Sequence, residues 1–135
     1  MVKRVAMVFG IVFLLVGILG LLSAGGTSMA ADPAPAMLLG MFGVNLLHNI
    51  VHLLFGVWGV LAARTFSAAK QFAQIAGTLY LILAVCGFLI PTTFGLIPIG
   101  GSDIWLHATI GLVLAGVGFT AKEGSAAPAT AGAKM

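Results

Sequence analysis

Charge is what this sequence has least of: six Lys/Arg and three Asp/Glu among 135 residues, or 7% of the chain, where soluble domains carry about 25%. A water-solvated globule is excluded. The formal charge of +3 rests on six side chains spread from Lys3 to Lys134, too few and too scattered to build the basic surface that nucleic acid requires. The single cysteine, Cys86, excludes an intrachain disulfide and a thiolate zinc cluster. Three histidines are far fewer than a membrane di-iron histidine-box enzyme needs. The acids also fall in the wrong places for a proton or cation pump, since Asp32 is in a loop, Asp103 at a helix start and Glu123 beyond the last apolar run. No phosphate-binding glycine loop and no nucleophile beside a base can be found. The expectation is a protein that is not an enzyme.

What fills the chain is apolar: 61% of residues are hydrophobic. Runs at 5–24, 38–63, 72–90 and 104–121 each suit a bilayer core, which takes roughly 17–25 residues of helix. Backbone groups find no water in hydrocarbon, and these runs lack the alternation of barrel strands, so helices are expected. Turn chemistry separates them: Gly25-Gly26 through Asp32-Pro33-Ala34-Pro35, then Arg64 to Lys70, then Pro91, Pro98 and Gly100-Gly101. Basic residues favour the cytoplasmic side. Lys3, Arg4, Arg64, Lys70, Lys122 and Lys134 all fall on one side of a four-span chain, and Asp32 and Asp103 on the other. The predicted fold is all-α: a polytopic membrane protein of one domain, 1–123, forming an antiparallel four-transmembrane-helix bundle with both termini cytoplasmic. Residues 124–135, small and polar, are expected to be a disordered tail. Trp58 and Trp105 sit where interfacial anchors would. A rival reading takes Lys3-Arg4, the first run and Ser28-Met29-Ala30 as a cleavable signal peptide, although that run exceeds the usual length of 7–15 residues.

At 100° per residue, small and polar side chains gather on one face of each run. In the second run Asn45, His48, Asn49, His52, Gly56, Gly59 and Ala63 share a stripe. Ala6, Gly10, Gly17, Gly20 and Ala24 do so in the first, Ala73, Gly77, Tyr80, Ala84 and Gly87 in the third, and Asp103, His107, Gly111 and Gly118 in the fourth. Membrane helices associate through small residues and hydrogen bonds, so these stripes are the expected contacts. The spacing His48-x3-His52-x3-Gly56 also resembles Asp103-x3-His107-x3-Gly111, which suggests two helical hairpins in one orientation.

Ionisable groups inside a span are functional candidates by default, and the runs offer three: His48, His52 and His107. Counted from Arg64 and Lys122, His48 and His107 lie at nearly equal depth, about 23 Å from the cytoplasmic boundary at 1.5 Å per residue. One reading makes all three ligands of a haem, a chlorophyll-type pigment or, with Asp103, a metal. The other, preferred, has them bonded to Asn45, Asn49, Tyr80 and backbone carbonyls, locking helices together, with no cofactor. No outer Lys or Arg stands ready for haem propionates. Asp103, beside Ser102, is expected to cap the fourth helix. Residues Pro91 to Gly101 are placed to fold back over the outer mouth, and a small-solute or lipid pocket beneath them is a third reading.

The pattern from Asn45-Leu46-Leu47-His48-Asn49-Ile50-Val51-His52 to Gly56, then Gly77, Gly87, Asp103-Ile104-Trp105-Leu106-His107 and Gly111, resembles the bacterial integral membrane proteins of domain-of-unknown-function family 4383. The resemblance spans roughly residues 37–120 and implies a small four-helix membrane protein of bacteria; it implies no activity or ligand. Together these readings predict a structural or accessory subunit in the bacterial inner membrane. Its expected partners are the lipid bilayer and other membrane proteins or further copies of itself. A histidine-based cofactor carrier is the alternative.

Overall fold

The computed structural model describes residues 1–31, 34 and 36–124. Asp32 and residues 125–135, with Lys134 and most of the expected tail, lie outside them. Four helices carry the chain: α1 (Val2–Leu22), α2 (Leu46–Ala62), α3 (Phe66–Leu89) and α4 (Ser102–Thr120). An antiparallel hairpin of β1 (Ala36–Leu38) and β2 (Phe42–Val44) stands between α1 and α2. Helices α1, α3 and α4 are long and apolar enough to cross a membrane, and α2 is apolar but shorter, at 17 residues. The protein is mostly helical and built for a membrane.

Three expectations need correction. The helical class holds, but the run expected at 38–63 is broken at its start by the hairpin, where Leu39 and Gly40 turn the chain at φ 53° and 69°. Helix α2 starts only after Asn45, whose extended backbone and side-chain Oδ1, accepting from His48 N at 2.9 Å, make it the cap. Helix α3 begins well before residue 72, because Thr65 Oγ1 accepts from Ala68 N at 3.2 Å and starts it at Phe66. Asp103 does not cap α4: Gly101 holds that position at φ 65°, and the Asp103 side chain turns inward from the first turn.

Helices pair as α1 with α2 and α3 with α4, antiparallel, through backbone-to-backbone approach. A Cβ built on Gly56 would lie 2.7 Å from Leu14 N, and one on Gly111 would lie 2.8 Å from Leu81 N. Lipid supplies no hydrophobic drive, so such close packing is what holds the pairs. At the end carrying Arg64, Lys70 Nζ donates to Ala121 O at 2.9 Å, a cation on the C-terminus of α4.

The two hairpins are copies of one another. The buried positions Val2, Ala6, Gly10, Phe13, Gly17 and Gly20 of α1 stand at one constant separation from Ala69, Ala73, Gly77, Tyr80, Ala84 and Gly87, all buried in α3. A second constant separation relates His48, Asn49, His52, Gly56 and Gly59 of α2 to Asp103, Ile104, His107, Gly111 and Leu114 of α4. It extends to the connections. The β1–β2 hairpin corresponds to the segment 91–99, where Ile99 N donates to Pro91 O at 2.8 Å as Val44 pairs with Ala36. Leu39-Gly40 corresponds to Phe94-Gly95, and all four residues have positive φ. Phe13 and Tyr80, equivalent residues, stack on each other at 5.2 Å. An approximate two-fold axis therefore runs between them, parallel to the helices.

Gly77→Ala tests the packing, since its Cβ would sit 2.7 Å from Ala115 Cα, whereas Gly116 faces open space. Overpacking of this kind costs about 1–3 kcal/mol. Thermal unfolding in detergent should show a lowered Tm for Gly77→Ala and an unchanged or raised one for Gly116→Ala.

Candidate functional site

Residues four apart on a helix share a face, and this rule sets the site. Helix α2 brings His48 and His52 inward, α4 brings Asp103 and His107, α3 adds Tyr80 and α1 adds Phe13. None of the six is more than 7% exposed. The His48 and His52 rings stack at 4.6 Å, and His48 lies 6.4 Å from His107 across the bundle. Within each half the aromatic residue packs on the equivalent imidazole: Phe13 on His52 at 5.7 Å and Tyr80 on His107 at 5.1 Å.

Hydrogen bonds then define the free faces of the rings. His52 Nδ1 donates to His48 O at 3.0 Å, and His107 Nδ1 donates to Asp103 O at 2.7 Å. A carbonyl can only accept, so each Nδ1 carries the proton and each neutral ring keeps an Nε2 lone pair. His48 Nδ1 and Asp103 Oδ2 are buried with no partner among the described residues, and an unmet buried group costs about 1–3 kcal/mol. The carbonyls of Gly43 and Pro98, equivalent residues of the two halves, flank the His48 ring.

Two cavities, of about 220 and 180 Å³, flank the cluster, and His48, His52, Tyr80 and His107 line both. Asp103 lines only the larger. Their remaining walls are almost wholly apolar. Ligand sites for larger organic molecules run to about 300–1,000 Å³, so neither cavity has the room a tetrapyrrole would fill. Among the described residues no three His, Cys, Asp or Glu side chains converge to hold a metal ion.

The expected polar stripe divides. His48, His52, Tyr80, Asp103 and His107 come together, but Asn45 and Asn49 do not bond to imidazole nitrogens. Asn45 Nδ2 donates to Leu96 O at 2.7 Å and Ala30 O at 3.1 Å, tying the 91–99 segment and the chain before β1 to the start of α2. That tie lays the segment over the mouth of the bundle. Asn49 faces α1 instead, where it presses on Gly20 and donates to Gly26 O at 3.0 Å. Gly56, Gly59, Gly77, Gly87 and Gly111 are the packing points, each facing backbone or side chains of a neighbouring element. Trp105 is exposed and set edge-on to Phe88, while Trp58, half-buried, packs edge-on against Phe55 and Phe72. Phe13 is the site residue the sequence reading missed; its equivalence to Tyr80 is the signal that reveals it.

Asn45→Ala removes a cap and strands three loop carbonyls, whereas Thr65→Ala removes one exposed cap bond. A lost cap costs about 1 kcal/mol, so Asn45→Ala should cost about 2–3 kcal/mol once the unmet groups are added. Equilibrium unfolding in detergent would show the larger loss at Asn45; equal losses would contradict its bridging role.

A family model described as a domain of unknown function (DUF4383) matches residues 3–120, and the chain belongs to that family. No curated protein and no solved structure matches it.

Proposed function

We propose that this DUF4383 protein is a four-span integral protein of the bacterial cytoplasmic membrane, both termini cytoplasmic, serving without catalysis as a structural or accessory subunit of a larger membrane assembly. The supporting observation is the pair of apolar tips at the end away from Arg64. Leu39 and Phe94 are 77% and 82% exposed, and each is held at positive φ, which side chains other than glycine disfavour. Strain of this kind persists where a contact uses it, and it recurs at equivalent places in both halves. A membrane partner, or a second copy of the chain, would cover the two tips with their neighbours Met41 and Leu96, which are also exposed.

The charge distribution supports the orientation, since Lys3, Arg4, Arg64 and Lys70 cluster at one end and Asp103 stands at the other. Helix α2, with 17 residues, spans about 25 Å, at the lower end of what a bilayer core takes. A cofactor carrier, with His48, His52 and His107 ligating haem, pigment or metal, is the second reading. The free imidazole lone pairs favour it and the cavity sizes weigh against a tetrapyrrole.

Extraction in mild detergent followed by light-scattering chromatography should give a particle well above the 13.7 kDa chain. Leu39→Ser combined with Phe94→Ser should reduce that mass without blocking membrane insertion. A solitary chain in the parent sample overturns the subunit reading, and a visible chromophore lost in His107→Ala transfers the assignment to the carrier.

Orientation is read separately, in a Cys86→Ala background. A membrane-impermeant thiol reagent on intact cells should label Ser102→Cys and spare Ser67→Cys. The opposite pattern inverts the topology.

A further inference from the structure

The two cavities obey the same two-fold relation as the helices. The larger lies between α1 and α4, the smaller between α3 and α2, so exchanging the halves carries one onto the other. Their walls correspond residue by residue: Val12 with Leu79, Val16 with Leu83, Leu106 with Val51, and Ile110 with Phe55. The roofs correspond as well, with Leu38, Phe42 and Val44 over one and Thr93, Ile97 and Ile99 over the other. The repeat of helix registers carries the wall of one cavity onto the wall of the other. These are two versions of one pocket, sharing the imidazole cluster as a common wall.

Size, polarity and access narrow what the pockets take. An apolar cavity of about 150 Å³ holds a benzene, so about 220 and 180 Å³ each suit one six-membered ring with small substituents. The shared wall is rich in acceptors. Nε2 of His52 and of His107 can only accept, one nitrogen of a neutral His48 must also accept, and Tyr80 supplies a single rotatable hydroxyl. A ring bearing an O–H answers that excess, and a ring bearing only acceptors does not. Water would satisfy the nitrogens but not the apolar remainder. Access is lateral: Val12 and Leu79, near the middles of α1 and α3, are both 41% exposed at the rims. A ligand therefore enters from hydrocarbon.

We propose that the protein binds two phenolic rings, one in each pocket, each donating its hydroxyl to an imidazole Nε2 of the shared cluster. The ring is either a free phenolic solute dissolved in the membrane or the head of a hydroquinone whose apolar tail runs out between the helices. The proposal is independent of whether the tips at Leu39 and Phe94 engage a partner.

The test uses the full chain in nanodiscs, with 4-fluorophenol as probe and ¹⁹F NMR as readout against empty nanodiscs. Two saturable equivalents per chain are expected. Val12→Trp should remove one and Leu79→Trp the other; both positions are half-exposed rims, and an unchanged Tm verifies that each variant folds. 4-Fluorotoluene, which has a methyl group where the phenol has its hydroxyl, should bind about tenfold more weakly, the effect of one buried hydrogen bond. Displacement of the probe by a hydroquinone with a long alkyl tail identifies the membrane-lipid source, and displacement only by tailless phenols identifies the solute. No saturable binding above empty nanodiscs overturns the proposal. So does equal affinity for the toluene, or binding indifferent to both tryptophans in folded variants.

Discussion

The close approach of helix backbones within each hairpin is the constraint on which the rest depends. Gly56 admits the backbone of Leu14 and Gly111 that of Leu81, in a solvent that gives apolar side chains no reason to associate. Once those crossings are set, the residue one turn further from Arg64 on α2 and on α4 must point at the axis. In both cases it is a histidine. The imidazoles are thus placed by glycines four positions away, and their own bonds to His48 O and Asp103 O fix only ring orientation.

Symmetry and its breaking divide the work between the halves. Equivalent positions keep their burial and lose their identity: Phe13 against Tyr80, His48 against Asp103, Asn49 against Ile104. Helix packing therefore repeats, while the polar groups offered to the two pockets differ. The larger pocket has a carboxyl group on its wall and the smaller has none. Two pockets of corresponding walls and unequal polarity result from a single packing solution used twice.

Much of this was legible in the sequence, because small and polar residues recur at helical spacing and nothing but helix packing explains glycine at Gly10, Gly77 and Gly111. The meeting of His48 with His107 followed from counting inward from Arg64 and Lys122. The β1–β2 hairpin was not legible, since in a membrane a strand and a helix are both apolar and Gly40 is the one usual turn residue between Leu39 and Met41. The start of α3 was hidden for the opposite reason: Ser67, Lys70 and Gln71 lower the hydropathy of a segment that is nonetheless helical. The duplication was visible at only three positions, because what is conserved between the halves is burial, and burial is a property of the folded chain.

The connection between the halves has a mechanical side. Ala63-Arg64-Thr65 joins α2 to α3 so tightly that Ala63 N still donates to Gly59 O and Ala69 N to Thr65 O. The halves are pinned there. At the far end the Asn45 side chain, bonded to Leu96 O, ties the halves a second time, so the two ring-sized pockets lie between two links.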